Sequence, residues 1–114
     1  MEDCIFCKIG RGEVPAAKVL ETDDLIAFDD IKPSAPVHVL IVPKKHIDSA
    51  YQVSEEDAEL VGKMVILAEK VADKKEIAGR GYRLVFNVGK EGGQVIKHLH
   101  LHVLGGRQMA GHDG

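Results

Sequence analysis

The chain has 114 residues, of which 45% are apolar, and its 15 basic and 18 acidic side chains give a formal charge of −3. That length suits a single domain, residues 1–114, with a core burying roughly two thirds of its unfolded surface. No basic run marks a polymeric nucleic-acid partner, no apolar stretch is long enough to span a membrane, and Met1-Glu2-Asp3-Cys4 lacks the regions of a signal peptide, so a cytoplasmic protein without membrane contact is expected.

Cys4-Ile5-Phe6-Cys7 comes first. In a reducing compartment such a pair reads as metal ligands or free thiols rather than a structural disulfide. β-prone runs follow at 17–21, 25–28 and 37–42, each bounded by turn-forming residues. The third is apolar at both parities apart from His38, which places it centrally, with both faces covered. Ser54-Glu55-Glu56-Asp57 then reads as a helix cap. Behind it Leu60, Met64, Leu67 and Val71 form one stripe and Val61, Val65, Ala68 and Ala72 a second beside it, so a core-facing helix is expected to end before Gly79. Further strands are predicted at 82–88 and 98–104, giving an α+β chain with a sheet of about five strands.

Between those last two strands lies Gly89-Lys90-Glu91-Gly92-Gly93-Gln94, whose glycines would let backbone N–H groups approach an oxyanion. The strand after it reads Lys97-His98-Leu99-His100-Leu101-His102-Val103-Leu104. In extended backbone successive side chains alternate, so three imidazoles share one face and Leu99, Leu101 and Val103 the other. Three titratable rings on an apolar-backed strand point to metal binding, proton transfer or nucleophilic attack. Same-face neighbours lie about 6.6 Å apart, so the outer two are separated by about 13 Å, too far to share one ion with bonds near 2 Å unless the strand bends. A glycine turn joined to a histidine strand therefore suggests a phosphate held against a nucleophile.

With its His-x-His-x-His segment, the sequence resembles the histidine triad (HIT) family, in its Hint branch of nucleotide-binding phosphoramidases. Ala27-Phe28-Asp29-Asp30-Ile31, Ala35-Pro36-Val37-His38, Ile41-Val42-Pro43-Lys44-Lys45-His46, Gly81-Tyr82-Arg83, Asn87 and Gly92-Gly93-Gln94 carry the likeness in order and spacing, to about Met109. The resemblance implies a HIT-like fold: an antiparallel sheet, one long helix and a short N-terminal helix. It implies His100 as nucleophile, forming a nucleotidyl-histidine, with His102 and His38 binding the phosphate or relaying a proton. A neutral imidazole attacks through one nitrogen when the other gives its proton to an acceptor, such as a strand carbonyl.

The same resemblance places Asp30 on the ribose hydroxyls, Ile5, Phe6, Ile9, Phe28 and Ile31 around a purine base, and Asn87, Gly93 and Gln94 near the phosphate. It also joins His46 and His98 to Cys4 and Cys7 as the four ligands of a structural zinc, which leaves the middle of the triad free for chemistry. Two departures stand out. Val95 occupies a position where many relatives carry a serine near the leaving group, and Ala110-Gly111-His112-Asp113-Gly114 replaces the usual tryptophan and proline ending. The expected activity is hydrolysis of purine nucleoside 5′-phosphoramidates by a homodimer. The alternatives are a dinucleoside polyphosphate hydrolase, a nucleotide-binding interaction module with weak turnover, and a metal-dependent hydrolase using the histidines as zinc ligands.

Overall fold

The computed structural model of the protein describes residues 3–111. Its elements are α1 (Ile5–Gly10), β1 (Lys18–Glu21), β2 (Leu25–Asp29), β3 (Val37–Pro43), α2 (Ala58–Lys74), β4 (Arg83–Val85) and β5 (Leu101–Gly105). All strand pairs are antiparallel, in the order β1-β2-β3-β5-β4, so the fold is α+β with β3 at the centre of five strands. His112, Asp113 and Gly114 of the unusual tail lie outside the described residues.

The two faces of β3 carry two cores. Val39 and Ile41 turn toward α2, where Met64, Leu67, Ala68, Val71 and Ala72 pack with Leu25, Ala27, Leu101 and Val103. Leu40 and Val42 join the opposite cluster with Phe6 and Ile9 of α1 and Ile26 and Phe28 of β2. Each face is therefore roofed by one helix, as the near-continuous apolar run of β3 predicts. Of the second stripe on α2, Ala68 and Ala72 are buried, whereas Val61 is half-buried and Val65 exposed.

Ser54 and Asp57 form the expected capping box, but the first turn, Glu55–Asp57, is a 3-10 turn that hands over to α2 at Ala58. The Asp57 carboxylate is shared between the Ser54 N–H at 3.1 Å and Lys45 Nζ at 2.7 Å. Two strands are shorter than the sequence suggests. The run at 82–88 is strand only over Arg83–Val85, and the run at 98–104 begins at Leu101. The reason for the second lies in β3, whose ladder with β5 closes at Ile41↔Leu101. Two residues further on stands Pro43, which has no N–H to donate, and its carbonyl is taken by the His98 ring at 2.7 Å. The Leu99 N–H turns instead to the carbonyl of Ile47, at 2.6 Å. The backbone bends at residues 96–98, ahead of the strand, a bend that three histidines on one straight strand lack, and the His98 ring lies against the two cysteines.

Candidate functional site

Two clusters of polar side chains meet on the α1 side of the sheet. The first is built from α1, the segment after β3 and the approach to β5. Cys4 caps α1 with its Sγ, which accepts the Cys7 N–H at 3.4 Å, so one helical turn brings both sulfurs together. His98 Nδ1 lies 3.2 Å from Cys4 Sγ and 3.5 Å from Cys7 Sγ, and His46 Nδ1 lies 3.2 Å from Cys7 Sγ. All four donor atoms fall within 4.8 Å of one another. A tetrahedron with bonds of about 2.3 Å to sulfur and 2.0 Å to nitrogen has S···N edges of about 3.5 Å, so the spacing fits one metal ion.

The outer nitrogens support that fit. His98 Nε2–H donates to the Pro43 carbonyl and His46 Nε2–H to the Asp48 carboxylate, each at 2.7 Å. Both rings then turn an Nδ1 lone pair toward the sulfurs, the tautomer a metal requires.

The second cluster comes from β3, β5 and the β2–β3 connection. His100 is buried, its Nδ1–H donates to the His98 carbonyl at 2.7 Å, and its ring meets Phe6 edge-on at 5.2 Å between centroids. Its Nε2 is left with the lone pair. His38 receives the Ser34 N–H on Nδ1 at 3.0 Å and faces His102 Nδ1 through Nε2 at 2.9 Å. His102 Nε2 lies 3.3 Å from the Asn87 amide. Asp30 Oδ2 stands 3.5 Å from His38 Nε2, while its Oδ1 accepts the Lys32 N–H at 2.9 Å. Burial, more than the neighbouring His100 and His38, pushes the His102 imidazole down to about 4, and burial likewise lowers His38.

Those shifts have a consequence for stability. Unfolded, both rings take up protons near pH 6.5, but folded they refuse them, so the unfolded state binds more protons as pH falls from 6.5 toward 4 and stability drops. The melting temperature is expected to fall between pH 6.5 and 5, above the range in which most carboxylates titrate. A calorimetric scan that stayed flat there would contradict this.

His100 and His102 open onto a cavity of 460 Å³ whose walls are mainly apolar. Ile5, Phe6, Ile9, Phe28, Asp30, Ile31, Asn87 and Gly93 all line it, so the structure brings together most of the residues singled out in the sequence. His38 stands behind His102. Gln94 is not on the wall: its Nε2 donates to the carbonyls of Asp48 and Ile96, and its Oε1 accepts the Gly89 N–H. The glycine loop also differs from an anion cradle, because the N–H groups of Gly93 and Gln94 close the turn on Lys90 and Gly89. Glycine is required there by packing and backbone: a Cβ on Gly92 would sit 2.2 Å from the Val88 carbonyl oxygen, and Gly93 has φ +84°.

Sequence reasoning missed the wall at Val14, Pro15, Ala16 and Ala17, a segment without periodicity, and the Ser34, Pro43 and Asp48 contacts to the histidines. Val95, in contrast, lines the cavity and is 89% exposed. Among the described residues, no helix is long and apolar enough to cross a membrane.

Comparison with known proteins bears on this site. The model of the HIT domain family matches residues 11–109. The chain is 44% identical over 108 residues to the purine nucleoside phosphoramidase of Escherichia coli (strain K12), covering 95% of this chain and 91% of that one. It is 41% identical over 105 residues to protein HitA of Neisseria gonorrhoeae, covering 92% and 97%. Among solved structures, a HIT family hydrolase from Legionella pneumophila Philadelphia 1 aligns with a TM-score of 0.95 at 50% identity, over 98% of this chain and all of that one.

Proposed function

The chain belongs to the HIT domain family, and we propose that it is a hydrolase of purine nucleoside 5′-phosphoramidates acting through a nucleotidyl-histidine at His100. The observation that carries this reading is the His100 Nδ1–H bond to the His98 carbonyl, at 2.7 Å, beside an apolar cavity. It leaves Nε2 as a neutral nucleophile and stabilises the positive charge the ring gains on attack. The bond from Nε2 to the α-phosphorus forms as the bond to the leaving nitrogen breaks. The amine departs with that electron pair and takes a proton from solvent. Water then attacks phosphorus from the opposite side, loses a proton to solvent, releases the nucleoside monophosphate and restores His100.

The base would lie among Ile5, Phe6, Ile9, Phe28 and Ile31, where apolar contact rewards a flat heterocycle. Asp30 Oδ2 would accept from the ribose hydroxyls, and His102 Nε2 with Asn87 would face the phosphate. Ile31, 92% exposed at the cavity wall, is the apolar contact a bound base would cover. Asp30→Ala is therefore expected to raise KM for a nucleoside phosphoramidate by about tenfold, the equivalent of one or two hydrogen bonds, with a smaller change in kcat. Steady-state kinetics on a ribonucleoside and a 2′,3′-dideoxy substrate test it: the dideoxy substrate should be nearly indifferent to the substitution. A substrate panel comparing phosphoramidates with dinucleoside polyphosphates tests the substrate class, and a clear preference for the second would overturn it.

The metal at Cys4, Cys7, His46 and His98 is proposed to be zinc, and with four protein ligands it would be structural, tying α1 to the approach to β5. A homodimer is proposed through β4, an edge strand whose outer side has no neighbouring strand among the described residues and which carries the exposed Leu84. The segment 79–88 would then lie near the partner. Sedimentation at micromolar concentration should show a dimer, and a monomer alone would count against it.

A further inference from the structure

We infer that the backbone N–H of Ser34 fixes the protons of the His38–His102 pair, making it a hydrogen-bond donor toward the phosphate and closing to metal ions a cluster whose donors could otherwise hold one. Asp30, His38 and His102 gather their donor atoms as tightly as the cysteine–histidine set, within 4.8 Å. The two clusters differ in what holds the outer nitrogen of each histidine. At His46 and His98 that partner is an acceptor, a carboxylate or a carbonyl, so the proton stays outside and the lone pair faces inward.

At His38 the partner is a donor. The Ser34 N–H lies 3.0 Å from Nδ1 and has no lone pair to offer, so Nδ1 keeps its own and the neutral ring carries its proton on Nε2. That proton fills the 2.9 Å gap to His102 Nδ1, which must accept it. The His102 proton therefore sits on Nε2; the Asn87 atom placed 3.3 Å from it is Nδ2, so this assignment requires the amide turned over to let Oδ1 accept. Burial keeps both rings neutral, which agrees with a two-proton chain.

Two consequences follow. A metal on His38 Nε2 would drive the proton to Nδ1 and set two N–H groups against each other at 3.0 Å, so the ion is refused although Asp30 is at hand. And because the chain of rings ends on an amide that cannot replace a lost proton, His102 can donate a hydrogen bond to a phosphoryl oxygen but cannot give its proton away without becoming an imidazolate. Its role is electrostatic, and the proton for the leaving group comes from solvent. The phosphoryl ligand rests on the hydrolase reading; the proton assignment and the metal refusal do not.

Long-range ¹H–¹⁵N NMR of the metal-loaded protein at neutral pH reads the tautomers directly. Both His38 and His102 are expected to be protonated at Nε2 and bare at Nδ1, whereas His100 carries its proton on Nδ1. The same metal-loaded protein, given excess Co(II), is expected to take up no second ion. Ser34→Pro removes the N–H, so His38 should shift its proton to Nδ1 and the protein should bind one further Co(II), while Ser34→Ala keeps the N–H and leaves both readouts unchanged. A wild-type His38 protonated at Nδ1, or a second Co(II) bound by wild-type protein, overturns the inference, and both measurements stand even if Ser34→Pro does not fold. Loss of the hydrolase reading would show instead in turnover, with the tautomers unaltered.

Discussion

Replacing His100 by alanine is expected to lower turnover by on the order of 10⁴-fold or more, while affinity for a nucleoside monophosphate changes by only about threefold. The split follows from where the ring acts. In the proposed reaction its Nε2 makes a bond in the transition state, whereas ground-state contacts would come from the cavity walls, of which the ring covers only part. The small loss of affinity expected comes from Phe6, which meets His100 at 5.2 Å and would face a void. Isothermal titration with AMP beside steady-state kinetics measures both numbers. A parallel loss of binding and turnover would make His100 a binding residue, and near wild-type turnover would remove it from the chemistry.

Replacing Cys4 and Cys7 together by serine is expected to abolish metal binding and lower the melting temperature by about ten degrees or more, since structural zinc in small domains is worth about 10 kcal/mol or more of binding free energy. α1 has only six residues and is too short to be helical alone. Its hold on the sheet is Phe6 and Ile9 in the smaller core plus the cysteine–histidine cluster. Without the cluster the helix should loosen, and with it the Phe6 wall. Hydrolysis should persist, weakened, at temperatures where the sheet is intact, because a metal with four protein ligands has no open position to activate water. Metal analysis of protein purified without chelator should find about one zinc per chain. A folded apo protein whose activity returned only with zinc would show the metal to be catalytic.

What the sequence displays well are periodicities and spacings. The alternation of His98, Leu99, His100, Leu101, His102 and Val103 correctly separates a polar from a core face, because the leucines and Val103 do pack under α2. It misses that the strand begins only at Leu101, since that depends on Pro43 across the ladder. The bend there is what lets His98 join the cysteines while His100 and His102 face the cavity. Backbone partners are also hidden in sequence. The carbonyl of His98 and the N–H of Ser34 decide which nitrogen of each ring carries the proton, and neither depends on side-chain identity. Gln94 and the glycines show the converse. Their composition suggests an anion cradle, but three of the available N–H groups, those of Gly89, Gly93 and Gln94, are engaged within the turn. On α2, Val65 obeys the helical period yet is 42% exposed, because it lies beside the Met64, Leu67, Ala68, Val71 and Ala72 face that packs on the sheet.

The proposed hydrolysis passes through a covalent bond between His100 and the α-phosphorus. Rapid quenching of the enzyme with a purine nucleoside phosphoramidate, at a pH that preserves phosphohistidine, followed by peptide mass spectrometry, tests it most directly. One nucleoside monophosphoryl group per chain is expected, confined to the peptide containing His100 and absent from His100→Ala. Steady turnover with no adduct at any time after mixing, or an adduct on another residue, would contradict it.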